Sequence, residues 1–297
     1  MNHGLHSARR RVMFVTPLLF ALAISAACEV SEDQEIALGQ RYAEQVEAQL
    51  PLVRDAELNA YVAELGGQIA RRTSRADLTW HFRVVDAREV NAFALPGGFV
   101  YLNRGLIERA DRMDELAGVL GHEIGHVVLR HSVKQMEKAT KTNVGIAVVC
   151  TLTGWCDGGA AQVAINVAGS AWFAHHSRQD EAAADSDAVF TVTRAGIDPS
   201  GIPSFFEKLL RERRASPGLL DSWFRTHPLE EDRVDRTRAL VRSLKPDTMP
   251  GLLEDTPDFQ AFKRRMLALP PPPRPSAGGV SPAAPLRPLV EAKRTHP

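Results

Sequence analysis

A chain of 297 residues with 44% hydrophobic side chains can bury a real core, as one large domain or two small ones. Its 36 Lys and Arg balance its 36 Asp and Glu, so no overall charge draws it to nucleic acid, and no nucleic-acid partner is expected. Three cysteines are too few for a disulfide scaffold, and no Cys-x-x-Cys zinc pair is present.

The chain opens on Arg9, Arg10 and Arg11, an apolar run over residues 12–27, and the small side chains Ser25, Ala26 and Ala27. That is the pattern of a secretory signal, assigned to residues 1–28, and the run is short for a spanning helix. Cys28 follows at once, where an exported lipoprotein carries its acylated cysteine, although Ser25 stands where Leu is usual and Ile24 comes one place early. Lipid anchoring at Cys28 and ordinary cleavage both stand as readings. Either implies export to the periplasm, and the first adds attachment to a membrane, the outer one included. In that oxidising compartment Cys150 and Cys156 are spaced to close a small disulfide loop, with two free, half-buried thiols as the alternative.

Residues 31–49 pattern as a helix, with Ser31 and Gln34 placed as a capping box and Pro51 ending it. Asp55 can cap a second helix carrying Leu58, Tyr61, Val62, Leu65 and Ile69 on one stripe. Residues 80–85 alternate as a strand. Residues 91–95, the turn Pro96-Gly97-Gly98 and residues 99–102 read as strand, turn, strand. Residues 114–138 read as one long helix. Residues 144–174 are apolar, rich in Gly and Ala, and carry no clear period. Residues 177–194 are helical, Gly196 and Pro199 break the pattern, and helices follow to about Arg214, over 229–244 and over 257–269. From Pro270 the composition of Pro, Ala, Ser and Gly cannot bury enough surface to offset ordering, which predicts disorder. The fold class expected is α+β, mainly α, with a small sheet. One principal domain is expected over residues 29–250, then an amphipathic helix over 251–269 and a Pro-rich tail over 270–297.

His122 and His126 lie four apart in the long helix, so both rings face one point, as a zinc ion requires. Glu123 points about a quarter-turn away, where it can act on water beside the metal. Gly118, Gly121 and Gly125 lower helix propensity on this helix and point to close packing around a buried site. A single zinc ion needs a third protein ligand and an open fourth position. A third histidine six residues after His126 is absent, because Ser132 stands there. His131 is one residue short, near the helix end, and reads as a surface or capping residue. Glu181 is the alternative, with Asp185 one turn on and able to accept from a free ring nitrogen of His122 or His126. His175 and His176 are rivals whose geometry is less fixed.

With those residues placed, the chain resembles the HtpX-like and CAAX-prenyl-protease-related zinc metallopeptidases, of the gluzincin type. The resemblance is carried by Asn91-Ala92-Phe93-Ala94-Leu95-Pro96-Gly97-Gly98, by Asp114-Glu115-Leu116-Ala117 leading into the His122 pentapeptide, by Ser177, Arg178, Glu181 and Asp185, and by Thr226-His227-Pro228 followed by Arg233. It covers roughly residues 32–245 and is similar above all to the exported branch that polices outer-membrane protein assembly. It implies a small sheet beside the zinc helices, with Asn91, Ala92, Phe93 and Ala94 forming the edge strand that holds a protein or peptide substrate. It implies that His227 stands near the metal, either steadying the transition state or capping the ion. It implies a zinc-dependent metalloendopeptidase of misfolded or unassembled envelope proteins, with outer-membrane assembly machinery as a partner. The alternative is a chaperone-like binder of unfolded outer-membrane proteins with a capped, mostly silent zinc site. Residues 144–174 correspond to a membrane hairpin in integral members, but Asp157 and several glycines interrupt them, so a lid or membrane-facing loop near the site is expected, not a span. No tetratricopeptide-like array follows in this chain, so the resemblance carries no scaffold-docking role.

Overall fold

The computed structural model describes residues 30–139, 176–215, 217–228 and 231–273. The signal segment with Cys28, the Cys150 and Cys156 pair, the 144–174 segment, His175 and the tail from residue 274 lie outside the described residues. The order is α1 (Glu32–Gln49), α2 (Ala56–Ala70), β1 (His81–Val85), β2 (Ala92–Leu95), β3 (Phe99–Asn103), the short α3 (Arg104–Ile107), α4 (Met113–Val128), α5 (Arg178–Arg194), α6 (Gly201–Ala215), α7 (Asp221–Thr226), α8 (Glu231–Leu244) and α9 (Pro257–Leu267). The expected mainly helical fold with a small sheet is what forms. Among these helices none is long and apolar enough to cross a membrane.

Local chemistry sets most of the boundaries. Ser31 and Gln34 close the capping box on α1, and Asp55 accepts from the N–H groups of Glu57 and Leu58 at the start of α2. Each such cap is worth about 1 kcal/mol. Ser177 and Asp180 make a second capping box on α5. Gly97 and Gly98, at φ +72° and +98°, make the turn between β2 and β3 in a backbone region that side chains disfavour.

The three strands lie in the order β1-β3-β2, with β1 parallel and β2 antiparallel to the central β3. Side chains alternate across the sheet. Phe82, Val84, Ala92, Val100 and Leu102 join α2, α4, α5 and α6 in the main core. Phe93, Leu95 and Tyr101 face α1, through Tyr42, Ala43 and Val46. Each large side chain so buried contributes about 1.5–3 kcal/mol. α1 therefore covers one face of the sheet and the zinc-type helix α4 lies on the other, with β2 at the sheet edge. A Cβ on Gly39 would meet the Pro96 carbonyl oxygen at 1.9 Å, so α1 rests directly on the turn that ends β2.

Two expectations are corrected. The helix expected over residues 114–138 is broken: α4 ends at Val128, Arg130 takes the left-handed region at φ 56°, and a new helical segment runs over residues 131–139. The cause lies far away in sequence. Arg130 Nε donates to Glu35 Oε2 at 2.7 Å and Nη2 donates to the Val30 carbonyl at 2.6 Å. Glu35 is wholly buried and also takes Arg75 Nη1 at 2.7 Å, so a carboxylate on α1 fixes the end of α4. Second, His131 is no surface residue. It is 4% exposed, because the break turns it back toward α4.

Candidate metal centre

α4 is buried along almost its whole length, so its histidines lie in the interior. The three glycines act where other helices cross it. A Cβ on Gly118 would press Ile202 of α6 at 2.7 Å. On Gly121 it would press Val192 of α5 at 2.9 Å, and on Gly125 it would meet the Ala184 carbonyl at 3.1 Å. Their absence of side chains lets α5 approach closely enough to bring a carboxylate to the histidines. The expectation that these glycines mark tight packing is met, with α5 and α6 as the partners.

The structure brings Glu181 to the two histidines. His122 Nε2 and His126 Nε2 are 3.0 Å apart, and Glu181 Oε1 lies 3.2 Å from His126 Nε2. Glu181 Oε2 lies 3.5 Å from His122 Nε2. His227, at the C-terminal end of α7 and 1% exposed, sets Nδ1 at 3.3 Å from His122 Nε2 and 3.2 Å from Glu181 Oε1. These four residues form one buried group of candidate ligands. A zinc ion with bonds of about 2.0–2.1 Å sets its ligand atoms about 3.3 Å apart, and the four candidate atoms lie within 4.8 Å of one another, a group of a size to close on one ion. Charge agrees as well. Glu123, Glu181 and Asp185 are three buried carboxylates facing one buried guanidinium, Arg233, and a divalent cation balances the count.

The supports are specific. Asp185 Oδ1 lies 2.9 Å from His122 Nδ1, the hydrogen bond that fixes which nitrogen faces the metal. Arg233 forks onto Asp185 through Nε at 2.6 Å and Nη2 at 2.7 Å, and its Nη1 lies 2.5 Å from Glu181 Oε2. The neighbourhood tilts each group. Burial opposes a charged His122, but Glu181 and Asp185 outweigh it and push the ring up to about 9. Burial and the nearby His176 pull His126 well below its usual value. Burial would raise Glu181, yet His227, His122 and Arg233 hold it well below the carboxylate range. Burial raises Glu123 against the pull of His227 and His122. Glu123 Oε1 is buried without a hydrogen bond and lies 3.4 Å from His227 Nε2.

His176 does not join the ligand group. Its ring stacks on His126 at 3.9 Å, and burial pushes it down to about 3. Asn91 lies just before β2, and Ala92 and Phe93 are buried, while Ala94 is partly exposed and lines a hollow with Leu95, Pro96, His126, Val127 and Val133. Sequence reasoning missed the contact of His131 with His126, for which no local signal exists. Arg233 was legible only through its motif and not through the two carboxylates it holds.

Fold and donor set together define a zinc metallopeptidase domain built on a histidine-bearing helix. The chain belongs to peptidase family M48, whose model matches residues 54–241. It is 33% identical over 262 residues to a beta-barrel assembly-enhancing protease of Yersinia pestis, covering 85% of this chain and 52% of that protein. The protein of the same name from Escherichia coli (strain K12) is 31% identical over 257 residues, covering 84% and 51% respectively. Metalloprotease LoiP of the same organism is 31% identical over 159 residues, covering 53% of this chain and 61% of that protein. The chain thus spans about half the length of the assembly-enhancing relatives it matches.

Proposed function

We propose that the chain is a zinc-dependent endopeptidase that cleaves misfolded or unassembled proteins of the cell envelope. The observation that carries the reading is a buried carboxyl, Glu123, beside the buried donor cluster of His122, His126 and Glu181. Export to the periplasm belongs to the same reading, with Cys28 as the candidate lipid anchor, and rests on the sequence of residues 9–28. Partnership with outer-membrane assembly machinery is supported by the names of the relatives alone.

Zinc, when bound, supplies Lewis acidity that polarises a scissile carbonyl and lowers the pKa of water toward about 7. The chain's own residues do the rest. Glu123 takes the proton of the attacking water and returns it to the leaving amine nitrogen. Asp185 holds the His122 ring, and Arg233 holds both Asp185 and Glu181. The sheet edge from Asn91 to Ala94 takes the substrate as an added strand, through backbone hydrogen bonds. Casein cleavage that stops when a chelator removes zinc and returns with added zinc is the expected result. Cleavage indifferent to the chelator would overturn the metal reading.

His227 carries a second reading. Its Nδ1 lies 3.3 Å from His122 Nε2 and 3.2 Å from Glu181 Oε1, close enough that it would serve as a fourth ligand, whereas a catalytic site keeps one position open. We infer that His227 caps the resting site and withdraws when substrate arrives. His227→Ala should then speed casein cleavage, about tenfold for every 1.4 kcal/mol by which the cap is favoured. A fall in rate would instead make His227 an oxyanion donor. A wild type that binds unfolded outer-membrane protein, with no cleavage by either form, would favour the chaperone-like alternative.

A further inference from the structure

We infer that His131 is a positioning residue for the ligand His126, set between that ring and the charge of Asp180 on the helix that carries Glu181. The inference rests on the zinc reading above. His131 Nδ1 lies 2.9 Å from His126 Nδ1, and the two rings meet nearly edge-on at 72°. On its other side, His131 Nε2 lies 3.6 Å from Asp180 Oδ1. Asp180 is the capping-box residue of α5, bound through Oδ2 to the Ser177 hydroxyl at 2.8 Å and the Ser177 N–H at 3.2 Å. Its neighbour in sequence is Glu181.

The proton count on these rings has one solution. His126 turns Nε2 toward the ligand group, and a nitrogen that ligates carries no proton. The proton of the neutral His126 ring therefore sits on Nδ1 and is donated to His131 Nδ1. His131 must accept there, so its own proton sits on Nε2 and faces Asp180. Proton donation runs from His126 to His131, and Asp180, at 3.6 Å and beyond hydrogen-bond reach, acts on the His131 ring through its charge. Second partners of this kind set the orientation and basicity of a metal-binding ring.

The backbone is built for this contact. In an unbroken helix, residues five apart point about 140° away from each other, so His131 could not reach His126. The left-handed Arg130, at φ 56°, bends the chain back. That conformation is uncommon for a residue with a side chain, and two bonds hold it: to Glu35 at 2.7 Å and to the Val30 carbonyl at 2.6 Å.

The test measures zinc dissociation constants of the full chain by competition with a chromogenic chelator, beside the melting temperature of chelator-treated protein. His131→Phe keeps the ring and removes the acceptor, and it should weaken zinc binding about 10- to 100-fold. His131→Asn restores an acceptor near the position of Nδ1 and should recover most of that loss. Asp180→Asn keeps a capping oxygen for Ser177 but removes the charge facing His131, and its loss should be smaller than that of His131→Phe. Chelator-treated proteins should melt alike. Wild-type zinc affinity in His131→Phe overturns the inference. Equal losses in Phe and Asn, together with lowered melting of the chelator-treated forms, make His131 a packing residue and overturn it too. A wild type that holds no zinc defeats the metal reading itself, which is a distinct failure.

Discussion

Glu123→Gln should retain zinc at the wild-type level and lose casein cleavage by about 10²- to 10⁴-fold, the range that a positioned acid–base group supplies. Gln matches Glu in shape, so the packing of a side chain only 1% exposed is kept. It cannot accept a proton from water or return one to an amine. The candidate ligand group is His122, His126, Glu181 and His227, and Glu123 is not among them, which is why metal content should survive. Its carboxyl Oε1 lies 3.4 Å from His227 Nε2, buried and free of any hydrogen bond. Burial raises that carboxyl above the usual carboxylate value. Zinc per chain and initial cleavage rates, measured side by side, decide the matter. Undiminished cleavage in the variant would remove Glu123 from the chemistry.

What could be read in advance were the features whose causes are local. Ser31, Asp55 and Ser177 announce helix starts because their side-chain oxygens bond N–H groups two or three residues away. His122 and His126 announce a shared point because one turn of helix separates them. Glu181 and Asp185 were legible for the same reason, as two carboxylates on one stripe of α5. The break at Arg130 was not, since no glycine or proline marks it and its cause is a carboxylate 95 residues earlier. The misplacement of His131 followed from that single error, because an unbroken helix carries it away from His126. The short α7, which delivers His227, was also missed. It has no side-chain cap at its start and is anchored by Val90, whose N–H donates to the Leu219 carbonyl at 2.9 Å and whose carbonyl accepts from Ser222 Oγ at 3.1 Å. In each case a non-local partner outweighed local pattern.

Arg233 offers the sharpest test of how the centre is held together. Its guanidinium is 2% exposed, forks onto Asp185, reaches Glu181, donates to the Pro228 carbonyl at 3.1 Å and lies over the Phe206 ring at 4.6 Å. Replacing it with Ala leaves two buried carboxylates without their cation and opens a gap beside Phe206. Removing one partner of a buried pair costs about 3–5 kcal/mol, far more than the pair contributes net, because the remaining charge stays desolvated. Arg236, one turn of α8 further on, pairs with Asp232 at the surface, with side-chain exposures of 53% and 58%. There water screens both charges, and Arg236→Ala should cost about 0–1 kcal/mol. The two variants remove the same side chain from the same helix, so the difference isolates burial. Urea unfolding of the zinc-loaded proteins should place Arg233→Ala several kcal/mol below Arg236→Ala. Arg233→Lys should fall between Arg233→Ala and wild type, because an ammonium restores charge but cannot make the fork. Equal stability of the Arg233→Ala and Arg236→Ala proteins would mean that Asp185 and Glu181 are not held by Arg233, and the account of how Glu181 is kept within reach of His122 and His126 would fail with it.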